Sequence, residues 1–341
     1  MARAGQTIPG AGAKPLSNTA RLENVAVQDL TPFRISLDGV RSCIATLGYA
    51  GIGLALGRSL GYQGRRRGDA TRPWLQGREE TVRANRLREI WRRGGAAVNG
   101  WLAIPSGVSA EAMAHQGWDS LTIDMQHGLV DYASAVPMLQ GISTTETVPL
   151  ARVPWLEPGI IMKALDAGAY GIICPMVNTR ADAEKFVGAC RYAPAGYRSF
   201  GPTRALLYAG ADYPEHANET VLAIAMIETR AALDNLEAIV STPGLDGVYI
   251  GPADLALSLG YKPKLDHSEP ELLEPIERIL DAAKAHGVVP GIHCGSAAYA
   301  KRMIDLGFQL VTLLSDQRLL VAAAKAIVDD LRAQGTGAAG A

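Results

Sequence analysis

The stretch Leu121-Thr-Ile-Asp-Met-Gln-His127 joins an apolar, partly β-branched run to a polar cluster. The apolar part is typical of a strand that is buried on both faces, as strands are in a parallel sheet. The polar residues Asp124, Gln126 and His127 lie where that strand ends, immediately before Gly128. In α/β proteins the chemistry lies at the carboxyl ends of parallel strands. The stretch therefore predicts an α/β fold and the end of it that carries a functional site.

Outward from this stretch, apolar strand patterns alternate with helical patterns. The predicted strands cover residues 97–104, 120–125, 149–153, 171–177, 222–227, 247–250, 288–293 and 310–314. The predicted helices cover residues 110–115, 132–139, 158–166, 180–191, 231–239, 270–286, 297–306 and 319–332. Eight β–α units in about 250 residues are typical of a (β/α)8 TIM barrel. A doubly wound sheet is the main alternative, but nothing in the sequence indicates the reversal of strand order that it needs.

Glycine recurs in the turn before five of the predicted strands, at Gly117, Gly168, Gly244, Gly287 and Gly307. A glycine at this place ends a helix and permits a sharp return of the chain, because it adopts positive φ angles without strain. The recurrence of this glycine turn favours a series of β–α units over two unrelated domains.

The barrel pattern covers only part of the chain. Residues 1–80 are predicted to be a poorly ordered extension, since the first 30 of them show no sustained period. The apolar run at 43–57 is shorter than the roughly 20 residues of a membrane span. The (β/α)8 domain is predicted at 81–333, beginning with an amphipathic capping helix at 81–93, and a flexible tail follows at 334–341.

Composition excludes some partners. The formal net charge is -1 and the pI is about 6.6, so the protein's overall charge recruits neither nucleic acid nor an anionic membrane. The four cysteines form no CxxC pair, which is typical of reduced thiols in the cytoplasm. No nucleic-acid or membrane partner is therefore predicted, and the predicted location is cytoplasmic.

Two carboxylates follow adjacent predicted strands, Glu228 after the fifth and Asp254 after the sixth. Such a pair, completed by water and substrate oxygens, suits a hard divalent cation such as Mg²⁺ or Mn²⁺, with Co²⁺ as a further candidate. The alternative for each residue is a helix cap, since acidic side chains favour helix starts. Their joint occurrence on neighbouring strand ends favours the metal site.

Arg152 follows the third predicted strand, where an unpaired charge is rarely buried. Its planar guanidinium suits a carboxylate or an enolate oxygen. The alternative is a structural salt bridge with Glu157 or another acidic residue.

His127 is the first candidate for a general base, because an imidazole titrates near neutral pH. His293, at the end of the seventh predicted strand, competes for this role and is ranked second, as a residue lining the site. The other four histidines, at positions 115, 216, 267 and 286, are predicted to be surface residues.

One long loop, residues 192–220, interrupts the alternation and is predicted to be a lid or an oligomer contact over the site. Its Arg198 and Arg204 are candidates for attracting an anionic substrate, although a solvated loop charge is the simpler interpretation of Arg204.

Taken together, these motifs resemble the HpcH/HpaI aldolase family, the metal-dependent pyruvate aldolases that act on 4-hydroxy-2-oxo acids. The resemblance covers about residues 85–330 and rests on Asp124-Met-Gln-His127-Gly, Ala151-Arg152-Val-Pro, Leu165-Asp166-Ala-Gly-Ala, Ile173-Cys-Pro-Met-Val177, Tyr192-Ala-Pro-Ala-Gly-Tyr-Arg-Ser-Phe-Gly201, Ile227-Glu-Thr229 and Gly251-Pro-Ala-Asp-Leu255. Each motif is weak alone, and their order and spacing make the resemblance specific.

The resemblance implies a role for each matched residue. Glu228 and Asp254 hold the divalent metal, and Arg152 stabilises the substrate's carbonyl oxygen. His127 is the base, Asp166 raises its basicity, and the backbone around Ala253 receives the pyruvate carboxylate. Read from the sequence alone, Asp166 is only a solvated residue at a helix end. Further implications are a hexamer or trimer, a 2-oxo acid and an aldehyde as substrates, and a place in aromatic compound catabolism.

One position departs from the family pattern. Many members have a glutamine two residues before the metal-binding glutamate, and this chain has Met226 there, which cannot donate a hydrogen bond. The predicted reaction is a reversible aldol cleavage that needs no Schiff-base lysine, since Lys163 lies on a predicted helix. The alternatives are a carbon–carbon lyase acting on a CoA thioester, as in citrate-lyase β-like proteins, and a non-catalytic barrel that serves as an assembly subunit.

Overall fold

A computed structural model of the chain describes residues 82–336. The predicted extension at 1–80 and the last five residues of the predicted tail lie outside these residues. Eight parallel strands close into a barrel in chain order, with β8 paired to β1. The strands are β1 Ala97–Leu102, β2 Ser120–Asp124, β3 Val148–Arg152, β4 Gly171–Cys174, β5 Leu222–Ile227, β6 Gly247–Ile250, β7 Val289–Cys294 and β8 Leu310–Ser315. The predicted (β/α)8 barrel is confirmed, and the doubly wound alternative is excluded.

Helices surround the barrel, as the alternating pattern predicts. They are α1 Arg86–Arg92, α2 Gly107–Ala114, α3 Tyr132–Ile142, α4 Pro158–Asp166, α5 Arg180–Cys190, α6 Ala205–Ala209, α7 Tyr213–Thr220, α8 Arg230–Asp234, α9 Leu236–Val240, α10 Pro252–Ser258, α11 Pro270–Ala285, α12 Ala297–Leu306 and α13 Asp316–Leu331. A π-helical turn, Arg332–Thr336, continues α13. None of the helices in 82–336 is long and apolar enough to cross a membrane.

Burial of the strands explains why their sequence pattern is continuous rather than alternating. Every residue of β2, β3, β4, β5 and β6 is buried. Each strand packs against the barrel interior on one face and against helices on the other. The five glycines predicted before strands have φ angles between 66° and 112°, in the region where a Cβ is disfavoured.

Helix α1 closes the amino-terminal end of the barrel. Asn85 caps it, because its side-chain oxygen accepts from Leu87 N at 3.2 Å. The same side chain donates to the Tyr170 and Thr220 carbonyls at 3.2 and 2.8 Å. Trp91 Nε1 donates to the Gln309 carbonyl at 2.7 Å. All three carbonyls lie just before strands, so α1 occupies the end of the barrel opposite the strand ends that carry chemistry.

The structure differs from the predicted elements at α10, which is not among the predicted helices, and in two further segments. Residues 192–220, predicted to be a loop, contain the helices α6 and α7. The predicted helix at 231–239 is divided at Asn235 into α8 and α9. The pieces have five to eight residues, too short for a helical period to emerge from the sequence. They form because tertiary contacts hold them.

Candidate active site

A cavity of about 320 Å³ opens at the carboxyl ends of the strands. The sequence-predicted residues His127, Arg152, Met226, Ala253 and Asp254 all line it. The rest of its wall consists of Trp101, Ala103, Asp124, Tyr249, Gly251, Pro252, Leu265, His293, Ser315, Gln317 and Arg318. The strand ends that were expected to meet therefore do meet at one mouth of the barrel.

Arg152 is held in place by a bidentate ion pair. Its Nε and Nη2 atoms donate to the two carboxylate oxygens of Asp124 at 2.8 and 2.7 Å, and its guanidinium lies 4.8 Å from the ring centre of Trp101. Burial raises the pKa of Asp124, but the hydrogen bonds and charge of Arg152 outweigh this and hold that pKa below its usual value. The alternative of a structural salt bridge is therefore confirmed with another acidic residue, Asp124, whereas Glu157 caps α4 and does not pair with Arg152.

Asp124 also shapes the turn that carries the predicted base. Its Oδ1 atom accepts from the backbone N–H groups of Gln126 and His127 at 3.1 and 3.2 Å. The His127 side chain is exposed in the cavity wall and makes no hydrogen bond to any residue in 82–336. An imidazole with both nitrogens free is available to a substrate proton.

Glu228 is 2% exposed, and its Oε1 atom accepts from Met176 N at 2.8 Å. Met176 has a φ angle of 57°, unusual for a residue other than glycine. Burial raises the pKa of Glu228 to about 7, and the nearby charge of Asp254 adds to this rise. The helix cap of α8 is Thr229, so the capping alternative for Glu228 is excluded.

Asp254 lies in the first turn of α10, exposed in the cavity wall, and its side chain makes no hydrogen bond within the described part of the chain. The preceding Gly251 leaves room for Glu228, since a Cβ at that position would overlap Glu228 Oε2. The charge of Asp254 lies near enough to raise the pKa of Glu228. This arrangement fits a divalent cation, whose charge would offset both.

The donor set also bears on the kind of metal. Among residues 82–336, no cluster of three or more histidine, cysteine or acidic side chains could hold an ion. Zinc sites usually have three or four such ligands, whereas Mg²⁺ keeps several waters and binds one or two carboxylates together with substrate oxygens. Gln126, in the turn that carries His127, has a buried side-chain oxygen without a hydrogen-bond partner among the described residues, but it does not line the cavity.

Asp166 does not line the cavity. It pairs with Arg198, whose Nη2 lies 2.6 Å from Asp166 Oδ1. Burial raises the pKa of Asp166, while the hydrogen bond and charge of Arg198 act against this rise. No hydrogen bond joins Asp166 to His127 within the described residues, so its role in raising the basicity of His127 stays a prediction.

The arginines of the 192–220 segment have structural roles. Arg198 is 4% exposed and bonded to Asp166 and Tyr213. Arg204 donates to the Ala167 and Leu139 carbonyls. Neither lines the cavity, so the suggestion that they attract the substrate is wrong.

Two further predictions concern residues outside the cavity. Lys163 is exposed on α4, with its amino group 4.3 Å from the ring centre of Tyr132, so its position agrees with a mechanism that needs no lysine. His267, predicted to be a surface residue, is 1% exposed, and its Nε2 atom lies 3.2 Å from the Pro252 carbonyl. That prediction is wrong, because the ring is buried and lies against the first residue of α10.

Sequence reasoning missed part of the wall, including Trp101, Tyr249 and Arg318. For Arg318 a signal existed, since a cation in the first turn of a helix opposes the helix dipole and usually has another reason to be there. Trp101 and Tyr249 carry no such signal, because aromatic residues in buried strands are ordinary core residues.

Burial lowers the pKa of His293 to about 4, and the charges of Arg152 and Arg318 contribute.

The fixed Arg152 and the free His127 lie at the carboxyl ends of a closed parallel barrel, where enzymes of this fold carry their active sites. Comparison with known proteins agrees. The family model for HpcH/HpaI aldolase/citrate lyase matches residues 100–323. The chain belongs to this family.

Individual relatives are similar over most of the chain. A hydroxypyruvate/pyruvate aldolase of Rhizorhabdus wittichii is 46% identical over 249 residues, 73% of this chain and 99% of the relative. A 5-keto-4-deoxy-D-glucarate aldolase of Escherichia coli is 33% identical over 234 residues, 68% of this chain and 91% of the relative. A solved HpcH/HpaI aldolase/citrate lyase family structure from Burkholderia cenocepacia covers 73% of this chain and 100% of its own, with a TM-score of 0.68 and 34% identity.

These findings confirm the predicted family and the predicted class, an aldolase among the carbon–carbon lyases. They also exclude the alternative that the chain is a non-catalytic barrel serving as an assembly subunit.

Proposed function

We propose that this protein catalyses the reversible aldol cleavage of a 4-hydroxy-2-oxo acid to pyruvate and an aldehyde, with a divalent cation held by Glu228 and Asp254. The observation that carries the proposal is the buried Glu228, whose pKa is raised to about 7. Glu228 is not itself part of the cavity wall, but its carboxylate packs against Gly251, which lines the cavity together with Arg152 and His127. A carboxylate in such a setting is best stabilised by a cation. Two oxygen ligands favour Mg²⁺, Mn²⁺ or Co²⁺.

The chain's own residues account for the other steps. A bound divalent cation supplies Lewis acidity toward the oxygens of the 2-oxo acid. Arg152, fixed by Asp124, stabilises the negative charge that develops on the pyruvate enolate oxygen. The backbone around Ala253 receives the carboxylate. His127 takes the proton of the 4-hydroxyl group as the C3–C4 bond breaks and the aldehyde leaves.

The test is a screen of 4-hydroxy-2-oxo acids in which lactate dehydrogenase reports the pyruvate that is released. We expect pyruvate from at least one substrate, loss of activity with EDTA, and recovery with Mn²⁺, Mg²⁺ or Co²⁺. Borohydride added with pyruvate should trap no covalent adduct. Absence of pyruvate from every substrate, or a trapped lysine adduct, contradicts the proposal.

A CoA thioester substrate is the remaining alternative. The screen above contains no CoA, so acyl-CoA substrates are assayed beside it. Activity that appears only with acyl-CoA substrates would favour that alternative. The proposed location is the cytoplasm, which the free and buried Cys174, Cys190 and Cys294 support.

A further inference from the structure

The segment that joins α10 to α11 contains a buried histidine to which the proposed reaction gives no role. His267 is 1% exposed, and its Nε2 atom lies 3.2 Å from the Pro252 carbonyl oxygen. A carbonyl oxygen can only accept a hydrogen bond, so the proton between the two atoms belongs to Nε2. His267 therefore donates to the first residue of α10.

The first turn of α10 carries part of the proposed cation site. Asp254 follows Pro252 in this turn, and its side chain makes no hydrogen bond within the described part of the chain. The position of its carboxylate therefore depends on the backbone of the turn, because no partner side chain holds it. A contact that fixes the backbone at Pro252 also restrains Asp254.

No described side chain caps this turn. The N-cap residue of α10 is Gly251, whereas the hydroxyl group of Ser296 caps α12. A capping residue does not fit in place of Gly251, because any Cβ there would overlap the Glu228 carboxylate. Of the residues that the structure describes, only His267 makes a side-chain hydrogen bond to residues 252–254. It holds the turn at a carbonyl group and leaves the N–H groups free.

Asp266 fixes the same segment from its other side. Its Oδ1 atom accepts from Gly295 N at 2.6 Å, and its Oδ2 atom accepts from the Ser296 hydroxyl at 2.7 Å. Both donors lie in the turn after β7, the strand that pairs with β6. Because β6 leads into α10, Asp266 and His267 together join the first turn of α10 to the end of the neighbouring strand. Leu265, the residue before them, lines the cavity.

We propose that His267 is a positioning residue for the cation site, whose Nε2–H holds the first turn of α10 and with it Asp254, and that Asp266 anchors His267 to the turn after β7. Neither residue lines the cavity. The inference rests on the cation site of the proposed function and adds residues that act on it from outside. The two residues act in series, so the loss of either one releases the turn and the loss of both adds little.

The first test needs no metal. Leu255 N donates to the Gly251 carbonyl at 2.9 Å, so the Leu255 amide is protected from hydrogen exchange while the first turn is formed. Leucine and glutamine both approximate the size of histidine, but only glutamine keeps an N–H donor. After EDTA treatment we expect exchange at Leu255 to be about tenfold faster in His267→Leu and within about threefold of the wild type in His267→Gln. Mass spectrometry of the peptide that covers α10 measures this.

Asn85→Ala is the matched control for a general loss of stability. It weakens the attachment of α1 at the opposite end of the barrel, and exchange at Leu255 should stay at the wild-type rate. Three results overturn the proposal: wild-type exchange in His267→Leu, equally fast exchange in His267→Gln, or an equal increase in Asn85→Ala.

The second test measures the dissociation constant for Mn²⁺ by electron paramagnetic resonance. We expect it to rise about tenfold in His267→Leu and in Asp266→Ala, and the double variant to be within about twofold of the weaker single variant. Saturating Mn²⁺ should restore most of the pyruvate release by His267→Leu, because both proposed ligands remain. An unchanged Mn²⁺ affinity in His267→Leu overturns the proposal.

The two tests separate this inference from the proposed function. A wild type that binds neither Mn²⁺ nor Mg²⁺ contradicts the proposed function, and the exchange rates still decide whether His267 holds α10. Metal binding and pyruvate release that are the same in the wild type and in His267→Leu contradict only the role of His267.

Discussion

At the scale of single residues, Arg152 has a positive charge whose orientation is fixed by its two hydrogen bonds to Asp124. Both of its bonds to Asp124 depend on the planar guanidinium, which lysine cannot reproduce. We expect Arg152→Lys to lower kcat/KM for pyruvate release about 100-fold with little change in the midpoint of thermal unfolding. Arg180→Lys, in an exposed pair with Glu184, is the control and should keep full activity. Activity of Arg152→Lys near the wild-type level contradicts the role of Arg152.

Gly251 is a second position at which the site depends on the residue type, because no larger residue fits there. A Cβ there would overlap the Glu228 carboxylate, so Gly251→Ala should displace a proposed cation ligand. We expect the dissociation constant for Mn²⁺, measured by electron paramagnetic resonance, to rise at least about tenfold. Gly201→Ala is the control, because its Cβ would meet only Asp166 Oδ2 at 3.8 Å. Equal Mn²⁺ affinity in both variants would exclude Glu228 as a ligand.

The raised pKa of Glu228 predicts how the metal-free protein responds to pH. Glu228 has a pKa of about 7 in the folded protein and about 4.5 when unfolded, so the folded state binds more protons between these values. The free energy of unfolding should therefore fall as pH rises from about 4.5 to about 7, by up to about 3 kcal/mol. Urea unfolding after EDTA treatment measures this. Glu228→Gln should remove most of the slope, and a slope as steep in this variant would assign it to another group.

At the scale of elements, α1 stabilises the barrel from the end away from the site. Asn85→Ala removes its cap and two hydrogen bonds to buried carbonyls. We expect a loss of about 2–4 kcal/mol in the free energy of unfolding, with kcat unchanged once the protein is folded. The exposed Arg92→Ala on the same helix should change stability by less than about 0.5 kcal/mol. A large change in kcat for Asn85→Ala would show that the two ends of the barrel are coupled.

At the scale of the whole molecule, α13 exposes apolar side chains along its length, including Leu320 and Ile327 at 62% and 70% exposure. We propose that a second copy of the chain covers this helix in a homo-oligomer, since such a surface is unfavourable in water. Leu320→Glu combined with Ile327→Glu should lower the mass measured by light scattering. Val108→Glu, at an equally exposed apolar position on α2, should not. A monomeric wild type contradicts the proposal.

The sequence predicts the barrel well because most strands are continuous apolar runs and a glycine turn precedes five of them, as at Gly168 and Gly307. It predicts several residues of the cavity wall, such as His127 and Arg152, but not their partners. Asp124 and Arg152 lie side by side only because β2 and β3 pair in that register, which no local pattern encodes. Likewise, Asn99 and Thr312 meet across the closure of the barrel, 213 positions apart. Pairings of this kind depend on the folded sheet.

The attachment of α1 has a consequence for how such proteins diverge. The side chains of Arg83, Asn85, Arg88 and Trp91 donate to the backbone carbonyls of Thr145, Tyr170, Thr220, Val221 and Gln309. A carbonyl acceptor exists whatever side chain its residue carries. Tyr170 is an exception, because its hydroxyl donates back to the Arg83 carbonyl at 2.8 Å. The other four acceptor positions can change during evolution without releasing the helix, and substitutions there should accumulate faster than at the four donors.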